Sequence, residues 1–258
     1  MKDYLEYLEI PIVDFCNLNC KGCSHFSPLA PKDDCMSFEE IKTDLTRLKE
    51  LIPHIWKVRI LGGEPLLHKE LPDILYCVRA LYLQTDIRIV TNGLLLKKMK
   101  AEFWKAVKDN GITIDISMYP PTVQQWSTIR ELLNEYGASY ECTEPIEKFR
   151  RRMTLSYRDD IECSFKECVV GNQCTCLYKG RIAACPAPFV VRHFNRHFDH
   201  QIKCENDSLD IYDLSVSTEQ LIKFVNSPLS MCGYCTQPDE FEWEVKTNPE
   251  ENDWVIRV

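Results

Sequence analysis

The chain has 258 residues, 45% of them hydrophobic and 27% charged, a balance that argues against disorder and suits one large α/β domain with or without a small appendix. A formal charge of −8 repels phosphate backbones and argues against a general nucleic-acid binder, although not against a local basic pocket for a small anion. The opening residues mix charges among apolar side chains, unlike an export signal, and no apolar run reaches the ~18 residues needed to span a bilayer. The expectation is a cytoplasmic protein with no membrane and no nucleic-acid partner.

Strand-type and helix-type segments alternate through the first half. Residues 7–15 read as a buried strand, despite Pro11. Ser37 and Glu40 form a capping box for a helix with Phe38, Ile41, Leu45, Leu48 and Leu51 on one face. A strand at 57–61, a Gly-Gly turn and a helix at 71–81 follow. Next come a strand at 87–90 ending at Asn92-Gly93, a helix around 98–108, a strand at 112–117, a helix at 123–136 and a short strand at 139–142. This order implies a parallel sheet covered by helices. The pattern fails after about residue 145, which places a boundary near 145–160 and divides the chain into 1–150 and 151–258.

Fourteen cysteines are too many for chance and fall in groups. In a reducing compartment, clustered thiols bind metal or iron–sulfur clusters rather than forming disulfides. Cys16, Cys20 and Cys23 follow the first strand with C-x3-C-x2-C spacing. Three thiolates on one short loop can ligate three irons of a cubane and leave the fourth open to another ligand. Zinc is the alternative, but His25 lies very close to Cys23 for a fourth tetrahedral ligand. The loop sits where α/β sheets bind ligands, at the C-terminal end of a strand. At the end of the next strand stands Gly62-Gly63-Glu64-Pro65, with glycines for close backbone approach and Glu64 as an acceptor for an ammonium.

These two motifs, one strand apart, resemble the radical S-adenosylmethionine (SAM) superfamily over about residues 5–145. The resemblance implies a partial (β/α)6 TIM-like barrel with a 4Fe–4S cluster on Cys16, Cys20 and Cys23. It also implies SAM bound through Gly62, Gly63 and Glu64, with Ser117 of Asp115-x-Ser117 as a further polar contact. The family's aromatic residue before the third cysteine is Gly22 here, so His25 or Phe26 is expected to meet the adenine. An external electron donor such as flavodoxin or ferredoxin is implied as well.

Farther along, QCTCLYKGRIAACP (173–186) reads as a β-hairpin turning at Lys179-Gly180, which sets Tyr178 against Arg181, Leu177 against Ile182 and Cys176 against Ala183. The register then places Cys174 opposite Cys185. Cys232 and Cys235 add a C-x2-C pair. The arrangement resembles the twitch and SPASM domains that carry an auxiliary 4Fe–4S cluster, and Cys168, Gly180 and Cys185 match the opening pattern of those domains. The implied ligands are Cys185, Cys232, Cys235 and either Cys168, by family spacing, or Cys174, by hairpin register. A zinc ribbon is the sober alternative for this part. Arg150–Arg152 is read as a solvated run or an anion site, and His193, His197 and His200 as packing residues or a proton-shuttling or metal patch.

Four auxiliary ligands favour oxidation of the substrate through that cluster, as in the twitch-type enzyme that dehydrogenates an amino-cyclitol. The absence of obvious room for a leader-binding domain favours a small polar molecule such as a sugar or amino-cyclitol. A radical SAM peptide maturase acting on a short peptide, and a non-catalytic zinc or iron–sulfur module, are the competing readings.

Overall fold

The computed structural model describes residues 3–168 and 174–257. In chain order the elements are β1 (Tyr4–Val13), α1 (Phe38–Leu51), β2 (His54–Gly62), α2 (Leu71–Leu81), β3 (Asp86–Thr91) and α3 (Ala101–Asp109). They continue with β4 (Thr113–Ile116), α4 (Pro120–Gln124), α5 (Trp126–Tyr136), β5 (Ser139–Cys142), β6 (Lys148–Met153) and α6 (Ile161–Lys166). The last are β7 (Cys176–Tyr178), β8 (Arg181–Ala183), α7 (Ala187–Phe198), β9 (Leu209–Asp210), α8 (Thr218–Val225) and β10 (Cys235–Glu242).

The main sheet runs β5-β4-β3-β2-β1-β7-β8-β9, while β10 and β6 form a separate antiparallel pair. Strands β5 to β1 and β7 are parallel, and β8 and β9 return antiparallel at the edge. The fold is therefore the expected α/β partial barrel of six parallel strands, with a small C-terminal β-pair. Its sixth parallel strand is the first arm of the cysteine hairpin, so the sheet runs across the compositional change near 145–160.

Pro11 explains why that sixth strand is short. Glu9 N–H donates to Thr175 O (2.7 Å), so the next amide on the same edge would be that of residue 11, which proline lacks. Pairing of β1 with β7 is accordingly limited to Glu9 opposite Cys176, whereas the ladder to β2 runs from Tyr4 to Val13.

Leu8, Ile10 and Ile12 are fully buried in a core shared with Ile41, Leu45 and Leu48 of α1. The Ser37–Glu40 capping box is present. The helix expected at 123–136 is instead two helices that meet at Gln125, whose backbone leaves helical geometry (φ −103°, ψ 9°). Thr122 ties the first of them to Asn92 O (2.7 Å). A second core holds Phe26, Met153, Phe194 and Trp254 and joins the C-terminal segment to the region just after the first cysteine loop. Among the described residues no helix is long and apolar enough to cross a membrane.

Candidate active site

Cys16, Cys20 and Cys23 share the wall of a cavity of about 160 Å³ at the C-terminal ends of β1 to β4. Gly62, Gly63, Thr91, Asn92 and Ser117 complete its strand-end side. The first motif, the glycine pair and Ser117 thus converge as the sequence leads one to expect. Asn92, where the third strand ends, donates its side chain to Asn17 Oδ1 (2.8 Å) and lies 3.7 Å from the Cys16 sulfur. Leu18 N–H also points at that sulfur (3.3 Å).

The glycines serve the loop as much as any ligand. A Cβ on Gly62 would lie 2.0 Å from Val13 O, and one on Gly63 2.1 Å from Phe15 O. Gly63 N–H donates to Val13 O (2.6 Å) and Glu64 N–H to Phe15 O (3.1 Å), which fixes the approach to Cys16.

Glu64 corrects the sequence reading. Its carboxylate does not face the cavity but is completely buried, accepting from Thr91 Oγ1 (2.6 Å), Asn92 N (3.0 Å) and Leu66 N (3.1 Å). It ties the end of β2 to the end of β3. Burial pushes its pKa up to about 7, against the pull of these three donors. Asp115, two residues before Ser117, is likewise occupied, by Arg59 (2.8 Å).

Phe26 packs on Phe194 and Trp254 instead of lining the cavity, whereas His25 does line it. The aromatic wall comes from Tyr119 and Phe149, set edge to face with centroids 5.8 Å apart. Tyr119 lines the cavity with all three cysteines, and its phenol is raised by burial and then by Cys20, Cys23 and Cys16. Ser27 Oγ is buried in the same wall without a partner. Sequence reasoning missed Ser27, Tyr119 and Phe149. Only the fold could have identified Phe149, which β6 delivers from far along the chain.

Burial pushes the Cys20 thiol up to about 12, with Cys23 adding to the shift, and raises the Cys16 thiol as well. Such thiols become thiolates only when a bound metal supplies the compensating charge.

The second group gathers around Cys185. Its thiol is raised by burial and then by Cys235, Cys232 and Cys168. Cys235 is pushed up to about 12 by burial, Cys232 and Cys168. Cys174 has a different foremost neighbour: burial and then Glu9 push it up to about 12, with Cys168 a smaller influence. The hairpin register is as expected, with Cys176 opposite Ala183, Leu177 opposite Ile182 and Tyr178 opposite Arg181. The part of the expected hairpin at residue 173 lies outside the described residues.

The arginine run is largely absorbed by β10, where Arg150 pairs with Glu240 (2.7 Å) and Arg151 with Asp239 (2.6 Å). The histidines separate. Buried His193 meets Asp14 (2.6 Å) and His200 meets Glu251 (2.7 Å), while His197 packs edge-on against Phe198. Asp14, Asp34 and His193 converge, but the Arg192 guanidinium bridges both carboxylates and supplies the cation there.

A parallel partial barrel with a three-cysteine loop at its first strand end and a glycine turn at its second defines a cofactor-dependent α/β enzyme. The family model of the radical SAM superfamily matches residues 10–157, and the chain belongs to that superfamily. Among curated proteins it is similar to the GTP 3′,8-cyclase of Limosilactobacillus fermentum, 37% identical over 120 residues, or 46% of this chain and 35% of the cyclase. It is also similar to molybdenum cofactor biosynthesis protein 1 of Bos taurus, 39% identical over 104 residues, which are 39% of this chain and 16% of that protein. The matches thus span about a third or less of these relatives. Among solved structures, BtrN in complex with AdoMet and 2-DOIA matches 99% of this chain and all of its own at a TM-score of 0.56 and 14% identity, a likeness of fold.

Proposed function

We propose that this radical SAM enzyme oxidises a small polar substrate, with one cluster on Cys16, Cys20 and Cys23 and an auxiliary cluster on Cys168, Cys185, Cys232 and Cys235. The observation that carries the reading is the separation of the cysteines into two sets. Three face a cavity that also presents Gly62, Gly63, Ser27 and Ser117, while Cys185 and Cys232 pack against the second core and Cys235, Cys232 and Cys168 all act on the Cys185 thiol. In functional terms, residues 1–150 carry the first cluster and 151–258 the second.

The donors fit iron–sulfur better than zinc. Tetrahedral zinc with 2.3 Å Zn–S bonds draws its sulfurs to ~3.8 Å of one another. Among the described residues no three cysteine sulfurs lie within 4.8 Å of each other. In the first cavity, the unpartnered Ser27 hydroxyl and Ser117 offer polar contacts to SAM, and Tyr119 with Phe149 offers an aromatic wall for its adenine. Glu64 acts indirectly by fixing the strand ends.

Cys16, Cys20 and Cys23 would hold the first cluster, which with an electron from a donor such as flavodoxin or ferredoxin would supply reductive SAM cleavage and hence the abstraction of one hydrogen atom from the substrate. Cys168, Cys185, Cys232 and Cys235 would hold the second, which would accept the remaining electron as a hydroxyl-bearing carbon becomes a carbonyl and the hydroxyl proton passes to solvent. Four protein ligands leave that cluster no open iron for substrate, which favours electron acceptance. The full-length likeness to a fold solved with AdoMet and 2-DOIA supports a small-molecule substrate.

Anaerobic reconstitution tests the reading. About eight irons per chain, with dithionite-dependent 5′-deoxyadenosine that disappears in Cys20→Ala, is the expected result. No cleavage product would overturn it, and four irons with zinc retained would remove the oxidation step.

A further inference from the structure

The first cysteine loop is built from two distant parts of the chain. Lys21 N–H donates to Glu244 O (3.0 Å) and Lys246 N–H to Asn19 O (2.9 Å), so an antiparallel bridge between Cys20 and Val245 joins the two segments. Lys21 Nζ reaches the Glu244 carboxylate (2.6 Å), and Trp254 Nε1 donates to Cys23 O (2.8 Å). A C-terminal strap therefore closes over the three cysteines.

Trp243 sits at the centre of this strap. Its ring stacks on Tyr119 with centroids 5.7 Å apart and an interplanar angle of 22°. Its Nε1 is buried and completes no hydrogen bond of ordinary geometry. A buried indole N–H left without an acceptor costs free energy. Its surroundings are those of Cys20: Val245, two residues on, forms an antiparallel bridge with Cys20, and Tyr119, on which the indole stacks, lines the cavity together with that thiol. Lys21 and Lys246, the charged donors beside it, are both engaged by carboxylates.

We propose that Trp243 is a positioning residue for the first cluster, its indole N–H donating to the Cys20 sulfur when that sulfur is an iron-bound thiolate. The inference rests on the reading that Cys16, Cys20 and Cys23 hold a cluster. An N–H···S bond stabilises the more negative, reduced cluster and so raises its potential. Segment 241–255 would thereby set how readily the cluster accepts the electron used to cleave SAM.

The test compares wild type with Trp243→Phe, which keeps a ring against Tyr119 and removes the donor. The readout is a redox titration followed through the reduced-cluster EPR signal that changes on adding SAM. The expected result is full iron content with a more negative midpoint. At fixed potential the ratio of reduced to oxidised cluster should fall about tenfold, which for one electron is about 59 mV. An unchanged midpoint overturns the proposal. If Trp243→Phe loses iron, Trp243→His, which keeps a ring N–H, should restore it, and failure to do so overturns the proposal equally. A wild type without a SAM-responsive cluster signal would instead sink the underlying reading.

Discussion

Gly22 holds a left-handed backbone (φ 64°) directly against Phe241, and a Cβ there would lie 2.5 Å from the ring's Cζ and 2.8 Å from Asp253 O. The family's aromatic side chain before the third cysteine has no space in this chain, because the C-terminal strap fills it. Gly22→Ala should therefore cost more than the ~1–2 kcal/mol of a left-handed alanine alone, and Gly22→Tyr should prevent the strap from seating. Thermal melting of the reduced protein, together with iron content, checks this. An alanine variant that melts like wild type would show that the strap does not depend on this contact.

Cys168 and Cys174 should separate cleanly in an iron count. Glu9 is the foremost charge acting on Cys174 and Cys168 a lesser one, whereas Cys168 acts on Cys185, Cys232 and Cys235. Cys168→Ser should retain about four irons of about eight, and Cys174→Ser should retain them all. The reverse outcome would make Cys174 the ligand.

Much of this site is legible in the sequence because its signals are local. The cysteine spacing, the Gly-Gly turn, the Ser37–Glu40 box and the Lys179-Gly180 hairpin each depend on neighbours a few residues away. What is not legible depends on long-range closure. Tyr119, Phe149 and Trp243 meet only because β6 pairs with β10 and the strap returns to the first loop. The Glu64 side chain is ambiguous for a related reason, since its direction is decided by Thr91 and Asn92 on another strand. The hairpin register gives the ladder from Cys176 to Tyr178 correctly, and Cys174 lies beyond its paired residues.

Glu64 should leave a signature in stability against pH. Its folded pKa of about 7 lies above the ordinary 4.5, so the folded state keeps a proton that the unfolded state loses. Its contribution is fully present below pH 4.5 and is lost as pH rises through about 7, by up to ~3 kcal/mol. Urea melts of iron-free reduced protein should show wild type losing stability relative to Glu64→Gln across that window and tracking it above. A difference independent of pH would mean that the carboxylate is ionised throughout.

Asp14 should couple the first cysteine loop to α7. Its carboxylate is buried two residues before Cys16 and accepts from Arg192 Nη2 and His193 Nε2, each at 2.6 Å. Arg192 also reaches Asp34 (2.8 Å) and the Tyr178 hydroxyl (2.7 Å), so one guanidinium joins β1, α7 and the hairpin. Asp14→Asn removes the shared charge but leaves Arg192 its Asp34 partner. Arg192 is also 36% exposed, so the cost should be ~3 kcal/mol, the low end for breaking a buried pair. Because Asp14 leads directly into the loop, the variant should also lose iron from the first site before the second. The check is loss of the SAM-responsive EPR signal while the remaining cluster signal persists. Loss of both together would mean that Asp14 supports the whole fold rather than the loop.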